Sequence, residues 1–555
     1  MNPKPGHHHM TLITPLIGSF FARANRLVLM VACGMVMAGW TAAACAQDTA
    51  DAVEVAPMTM AEQIQSSLNE AFGKLNGYME PVLFFDMSFG RIAGGVPLLV
   101  AVLLLGGIFF TFRFGLINLR MFGHGLAVVR GRYDDPSDPG EVSHFQALTS
   151  ALSATVGLGN IAGVALAISA AGPGAVFWMW VVAFFGMSSK FASCTLAQAY
   201  RTVEDEGDGR AHVLGGPMLY LSKGLRETLG PTWGGPLGRV LAIAFALFAI
   251  GGALGGGNLF QSNQTAAIFS FVLFEGSHRY DLWFGLGMAL LVGLVIVGGI
   301  RRIGEVTCRI VPAMCLFYCA VCLIILATHA AQVPAMLGSI FREAFTVQAA
   351  GVGGLIGILV QGVKRGAFSN EAGLGSAAIA HSAAKTDEPV REGVVAMLGP
   401  FIDTMVVCTM TAMTILITQN QISDVALEGT KGDLRGAAMT AEAFGSLHAA
   451  LPIMLCIAVL VFAYSTMISW CYYGERASEY LLGKAGIWPF RVVFLTFAVL
   501  GPMLSIGNVV DFTDLLILSM AYPNILGLLI LSPKVAALAK DYTRRLRAGE
   551  MVRHR

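Results

Sequence analysis

Apolar runs long enough to cross a bilayer recur from Gly94 to Ser532, and this feature limits the fold more than any motif does. A spanning helix needs about 20 such residues at about 1.5 Å rise each. Lipid offers no water to the backbone, so every buried N–H and C=O must be paired within the protein, which helices do internally. A chain with 55% hydrophobic residues, 13% charged residues and a mean hydropathy of +0.67 fits that class. The expectation is an all-α polytopic membrane protein. A net charge of +1 leaves no basic domain to grip a nucleic acid. The sequence contains no GxxxxGK[ST] phosphate loop, no HExxH and no GxSxG turn, so neither a nucleotide partner nor a hydrolytic enzyme finds support. Cys315, Cys319 and Cys322 share one apolar run without a histidine or carboxylate, and packing accounts for them.

The order of the runs gives a topology. Residues 1–46 read as a signal peptide, with Lys4, Arg23 and Arg26 before an apolar stretch and Ala44-Cys45-Ala46 as the cleavage site; a retained signal anchor is the alternative. Residues 47–93 are polar and then amphipathic, a surface helix outside the membrane. The membrane domain spans 94–533. Its first crossing, 94–112, is followed by Arg113, Arg120, Arg130 and Arg132, and so runs inward. Residues 145–329 and 351–532 each supply five further spans, near 145–170, 175–199, 240–258, 283–300 and 311–329, and near 351–380, 393–417, 451–471, 490–506 and 513–532. The total is about eleven spans. A basic tail, 534–555, stays in the cytoplasm. Lys and Arg concentrate in the loops this scheme places inside, which orients a multi-pass protein of the cell inner membrane with its mature amino terminus outside.

Two of these runs are unsuited to a plain anchor. Between Phe145 and Ala170 the sequence Ala154-Thr155-Val156-Gly157-Leu158-Gly159-Asn160 puts glycine and polar residues about 15 Å into the membrane. Such a break either serves close helix packing or marks the depth at which secondary transporters bind solute and ions. The second run faces the opposite way and carries Gln361 to Gly373. A midplane counted from Ala349 falls at Leu359–Gly362, which makes Gln361 and Gly362 substrate candidates. Arg365, Phe368, Ser369, Asn370 and Glu371 lie nearer the cytoplasm, as an inner gate in which Arg365 and Glu371 pair; direct ligands or a structural ion pair are the alternatives. Asp403 is a lone carboxylate in its span and a candidate ligand for a cation or an ammonium group, or a partner of broken backbone. Ser465, Thr466 and Ser469 share one helix face, and uncharged oxygens suit Na⁺, although such hydroxyls also bond back to their own helix.

Four motifs point to a family. ATVGLGNIAG from Ala154 to Gly163, GPGAVFWMW from Gly172 to Trp180, GGPMLY from Gly215 to Tyr220 and RGAFSNEAGLGSA from Arg365 to Ala377 resemble the alanine or glycine:cation symporters, a likeness that extends over about Gly94 to Pro533. The resemblance implies the leucine-transporter-type fold, a 5+5 inverted repeat with one additional amino-terminal span. It also implies Na⁺-coupled uptake of alanine, glycine or a similar small neutral amino acid by alternating access. Under it, backbone at Thr155, Val156, Gly157 and Gly159, beside Asn160, holds the substrate carboxylate. Backbone at Ala154 and Gly157 then holds Na⁺ with Ser465, Thr466 and Ser469. Two competitors remain: a proton-coupled carrier of the same fold, titrating Asp403 or Glu371, and a membrane-embedded sensor or channel. The second needs an output domain or a continuous polar pore, and neither is visible.

Overall fold

The computed structural model describes residues 60–554, apart from 92–94, 136, 206–210, 275–276, 297–298, 347–353 and 419–435. The leader expected over 1–46 and the first glycines of the second broken run lie outside the described residues.

Helix α1, Met60–Leu83, is amphipathic. Its Phe72 packs edge-on against Phe497 and Phe512, while Asn69 and Asn76 exchange hydrogen bonds with the chain at Met503–Asn508. A turn built on Asp86 leads to α2, Leu98–Arg113, an apolar helix that ends on its arginine. The short helix α3, Phe122–Val129, follows. Helix α4, His144–Thr155, opens with a capping box in which Ser143 and Gln146 satisfy each other's amides. A gap and a π turn at Gly159–Gly163 separate it from α5, Val164–Ala171. The two halves are bent by 52°.

Helix α6, Gly174–Tyr200, is the buried axis of the bundle, with α2 and α11 (Gly354–Asn370) packed along it. Gly362 is what lets α11 come so near. A Cβ there would stand 2.5 Å from Ala175 O and from Trp178 Cβ. Strands β1, Thr202–Asp205, and β2, Ala211–Leu214, form an antiparallel hairpin after α6, an exception to the expected all-α class. Helix α7 runs from Pro217 to Leu273 with a break at Gly230 (φ 78°), so the stretch between the expected spans 175–199 and 240–258 is largely hairpin and helix. It also continues well past the boundary expected at 258. Helices α8 (Asp281–Ile296), α9 (Gly299–Thr328) and the amphipathic α10 (Val333–Glu343) complete the first half.

The second half places α12, Ala377–His381, after the break that ends α11. Helix α13, Pro389–Thr418, contains a π segment at Phe401–Cys408. After α14, Ala437–Gly445, the long buried α15, Leu451–Leu482, turns at Gly483 (φ 69°) into α16, Ile487–Leu500. Phe490 seats on Gly474 across that turn, so the two helices lie side by side. Helices α17, Ile506–Ser519, and α18, Ala521–Arg547, end the chain. Among the described residues six helical runs are long and apolar enough to cross a membrane, and the bent pair α4–α5 makes a seventh. One of the six, Leu451–Met503, holds both α15 and α16; α2 and α8 are shorter apolar helices.

The two broken helices run in opposite directions. His144 at the start of α4 and His381 at the end of α12 both bond Glu392 of α13. At the other end, Gly174 just after α5 lies against Glu343–Ala344, which lead toward α11.

Candidate functional site

The centre of the bundle is where both helices break. At the first break the chain leaves helical geometry at Val156 (φ −78°, ψ 90°), and Gly157 N–H turns back to Asn160 Oδ1 at 2.9 Å. Leu158 N–H donates to Gln261 Oε1 of α7 at 3.2 Å. Two amides freed by the break are thus held by side chains at a depth where water does not reach. The second break is made by three residues in left-handed geometry: Glu371 (φ 55°), Gly373 (φ 85°) and Gly375 (φ 91°). Asn370 closes its start, accepting Ala372 N–H at 2.9 Å.

Asp403 ties the breaks together. Its Oδ1 accepts Asn160 Nδ2 at 2.6 Å, and its Oδ2 accepts Ser369 Oγ at 2.7 Å and Thr404 Oγ1 at 2.8 Å. Thr404 in turn accepts Asn370 Nδ2 at 3.0 Å. Each of these residues is buried. The π segment of α13 carries Asp403 and Thr404 into this position.

Helix α4 ends at the break with its carbonyls directed at α15. Ser153 O accepts Thr466 Oγ1 at 2.9 Å, and Ala154 O accepts Trp470 Nε1 at 3.2 Å. A helix carboxyl end carries partial negative charge, so this seam favours a cation. Ser469 lies one helical turn beyond Ser465, and its buried hydroxyl has no hydrogen-bond partner among the described residues. Gly157 packs directly on Thr466 Oγ1, closer than any Cβ could. The oxygens of Ser153, Ala154, Thr466 and Ser469 are hard, uncharged donors that fit Na⁺. Ser465 differs: its hydroxyl bonds back to Phe462 O at 3.0 Å, and only its carbonyl reaches α4, where it accepts Ser153 Oγ at 2.7 Å.

Several expected roles change. Gln361 and Gly362 sit in the regular part of α11, and Gly362 serves the α6 contact; the break falls later because only the Glu371–Gly375 stretch supplies left-handed residues. Arg365 does not pair with Glu371. Its guanidinium bonds Asp514 of α17, with Lys364 Nζ 3.4 Å from the same carboxylate, whereas Glu371 accepts Ser376 Oγ at 2.5 Å. Phe368 lies over Gly159 and packs edge-on against Phe260, with Arg365 stacked 5.5 Å from its centroid. Thr155 spends its hydroxyl on its own helix, at Ala151 O and Leu152 O, both 3.3 Å, and Val156 is fully buried.

Three contributors escaped the sequence reading. Lys190 is buried in α6, where it donates to Asn370 O at 3.1 Å and caps the carboxyl end of α11. The run Asn258–Thr265 looks like loop, yet it is interior helix whose amide side chains donate to neighbouring carbonyls. Asn258 donates to Phe494 O, Asn263 to Gly501 O and Leu504 O, and Gln261 to Gly256 O. The third is a clasp at one end of the bundle. Glu392 accepts His144 through one oxygen and His381, at 2.5 Å, through the other, which binds the start of one broken helix to the end of the other. Beside it, the guanidinium of Arg201 donates to Ser382 O and Ala384 O, at 2.7 and 2.6 Å, and to Pro139 O and Thr386 O, each at 2.7 Å.

A family model described as the sodium:alanine symporter family matches residues 81–555. The sodium/alanine symporter AgcS of Methanococcus maripaludis is 43% identical over 450 residues, which cover 80% of this chain and 94% of that one. A probable sodium/glutamine symporter, GlnT of Bacillus subtilis, is 35% identical over 456 residues, 82% of this chain and 89% of the relative. Among solved structures, MhsT in complex with L-phenylalanine aligns with a TM-score of 0.48 at 13% identity, over 72% of this chain and 98% of that one.

Proposed function

The chain belongs to the sodium:alanine symporter family, and from that premise we propose that it carries a small neutral amino acid, alanine or glycine, into the cell together with Na⁺ by alternating access. The observation that carries the ion is the seam between α4 and α15, where carbonyls at a broken helix end face Thr466 and the unpartnered hydroxyl of Ser469. The amino end of the opposite half-helix, near Gly159 and Asn160, supplies the positive dipole a carboxylate needs. In this reading α2 is an extra span before two sets of five, and the two sets are related by inversion. The carboxyl terminus faces the cytoplasm of an inner-membrane protein, and Arg365–Asp514 with Phe368 closes the outer side. The Glu392 clasp and Arg201 close the inner one.

A proton-coupled carrier is the second reading, favoured by Glu371, a buried carboxylate that accepts Ser376 Oγ. Uptake of labelled alanine into vesicles, driven by an imposed Na⁺ or H⁺ gradient, separates the two. Accumulation with Na⁺ alone supports the proposal; accumulation with H⁺ and none with Na⁺ removes it. Competition by glycine, serine and glutamine in the same vesicles sets the substrate range.

A further inference from the structure

The end of α2 and the last turns of α18 enclose a recess of about 860 Å³ whose charge is lopsided. Arg113, Arg120, Lys540, Arg544 and Arg547 line it, against one carboxylate, Asp541. That carboxylate is already neutralised, accepting Arg544 Nη2 and Arg545 Nε at 2.8 Å each. Arg120 gives one N–H to Gly115 O. Arg113, Lys540 and Arg547 form no ion pair among the described residues, and all five cations are exposed. A recess lined by so many unneutralised cations calls for an anion.

Its surroundings say which kind. On α2, Leu105, Phe109 and Phe112 form an exposed stripe at four- and three-residue spacing, and the stripe ends beside Arg113. On α18, exposed Leu526 and Leu529 begin a face that continues through Pro533 and Ala537 to Lys540, Arg544 and Arg547. Two neighbouring helices therefore present faces that change from apolar to cationic at the same level. A free anion would use only the cationic part. A molecule with an anionic head and acyl chains uses both.

We propose that this recess holds the headgroup of an anionic phospholipid, with its chains lying along the apolar faces of α2 and α18. A basic pocket between helices at the membrane surface is suited to such a headgroup. The site joins the extra amino-terminal helix to the carboxyl-terminal one, and it stands apart from the substrate and ion positions argued above.

The test uses the full chain in detergent, equilibrated with equal amounts of phosphatidylglycerol and phosphatidylcholine, with retained lipid read by native mass spectrometry. The protein should keep phosphatidylglycerol in clear excess. Each neutralised cation should lower that excess about five-fold, so Arg113→Gln/Lys540→Gln/Arg544→Gln should lose nearly all of it, and Arg342→Gln, on the opposite side of the bundle, none. Should the triple variant fail to elute as the wild type does, Lys540→Gln alone reads the single five-fold step. Equal retention of the two lipids by the wild type, or an excess unchanged in these variants, overturns the proposal. Displacement of the lipid by soluble glycerol phosphate at equal concentration overturns it as well, because the recess would then be a phosphate site.

Discussion

Asn160 and Asp403 meet at 2.6 Å, and at the centre of the bundle that bond fixes the first broken helix to the span that also holds the second. Asn160 simultaneously accepts the amide of Gly157. A change in either break is therefore felt at the other.

The first prediction concerns that link. Asp403→Asn keeps the shape but replaces one acceptor oxygen by a donor amide, which then faces either Asn160 or the Ser369 and Thr404 hydroxyls, groups that donate to the carboxylate. Losing a hydrogen bond to a buried charged group costs about 1.5–3 kcal/mol, so alanine binding should weaken about ten- to hundred-fold. Ser369→Ala in that background should add little, because both act on one network. Additive losses in a double-mutant cycle of binding would remove Asp403 as the coupling residue.

The proposed ion site predicts a split among three hydroxyls. Thr466→Val removes an oxygen without changing shape and should raise the Na⁺ concentration for half-maximal alanine binding about ten-fold, or ~1.4 kcal/mol. Ser469→Ala should act in the same direction, whereas Ser465→Ala, whose hydroxyl bonds its own helix, should leave the midpoint in place. Because coupling is reciprocal, raised Na⁺ should restore substrate affinity. Identical midpoints for Thr466→Val and the wild type would remove α15 from the ion site.

Arg365 and Asp514 are both buried, so Asp514→Asn strands the guanidinium and should cost about 3–5 kcal/mol of stability, while Arg365→Gln, which leaves Lys364 beside the carboxylate, should cost less. The double variant Arg365→Gln/Asp514→Asn should recover part of the loss of either single variant. Glu371→Gln should show no coupling with Arg365→Gln, since the two residues have separate partners. Thermal unfolding of the five proteins, with the wild type as reference, decides between this pairing and the one expected from sequence alone.

A pH effect is expected outside the spans, at His124. Burial, with Arg391 and Arg553 adding like charge, lowers its pKa from 6.5 to about 4. Its Nε2 shares a hydrogen with Tyr542 OH at 2.7 Å. The fold prefers the neutral ring, so this contribution is complete above the unfolded value of 6.5 and is lost as pH falls toward about 4. The stability difference between wild type and His124→Phe should shift against the wild type between about pH 7.5 and about pH 4.5. A constant difference across that range would refute it.

The first break could be read directly from the chain, because glycine and asparagine in the middle of an apolar run have few other uses. The hydroxyls of α15 were readable for the same reason. For the second run, counting residues from an assumed entry point sets the midplane at Leu359–Gly362, whereas backbone geometry sets the break at Glu371, Gly373 and Gly375. The partner of Arg365 lies on α17, far along the chain, and no local pattern announces it. Lys190 and the Asn258–Thr265 run were missed through the assumption that polar residues near the end of an apolar run lie in water. In this bundle they satisfy backbone that the breaks leave open.

Gly157 rests against the hydroxyl of Thr466 with no room for a methyl group between them. Over evolutionary time the two positions are therefore a single character. A descendant can gain a side chain at 157 only after 466 has become smaller, and a smaller residue without oxygen there gives up the hydroxyl proposed for the ion. Under the ion site proposed above, a lineage that adds a side chain at 157 changes its ion dependence first, and the order of those two steps should be legible in the substitutions of its descendants.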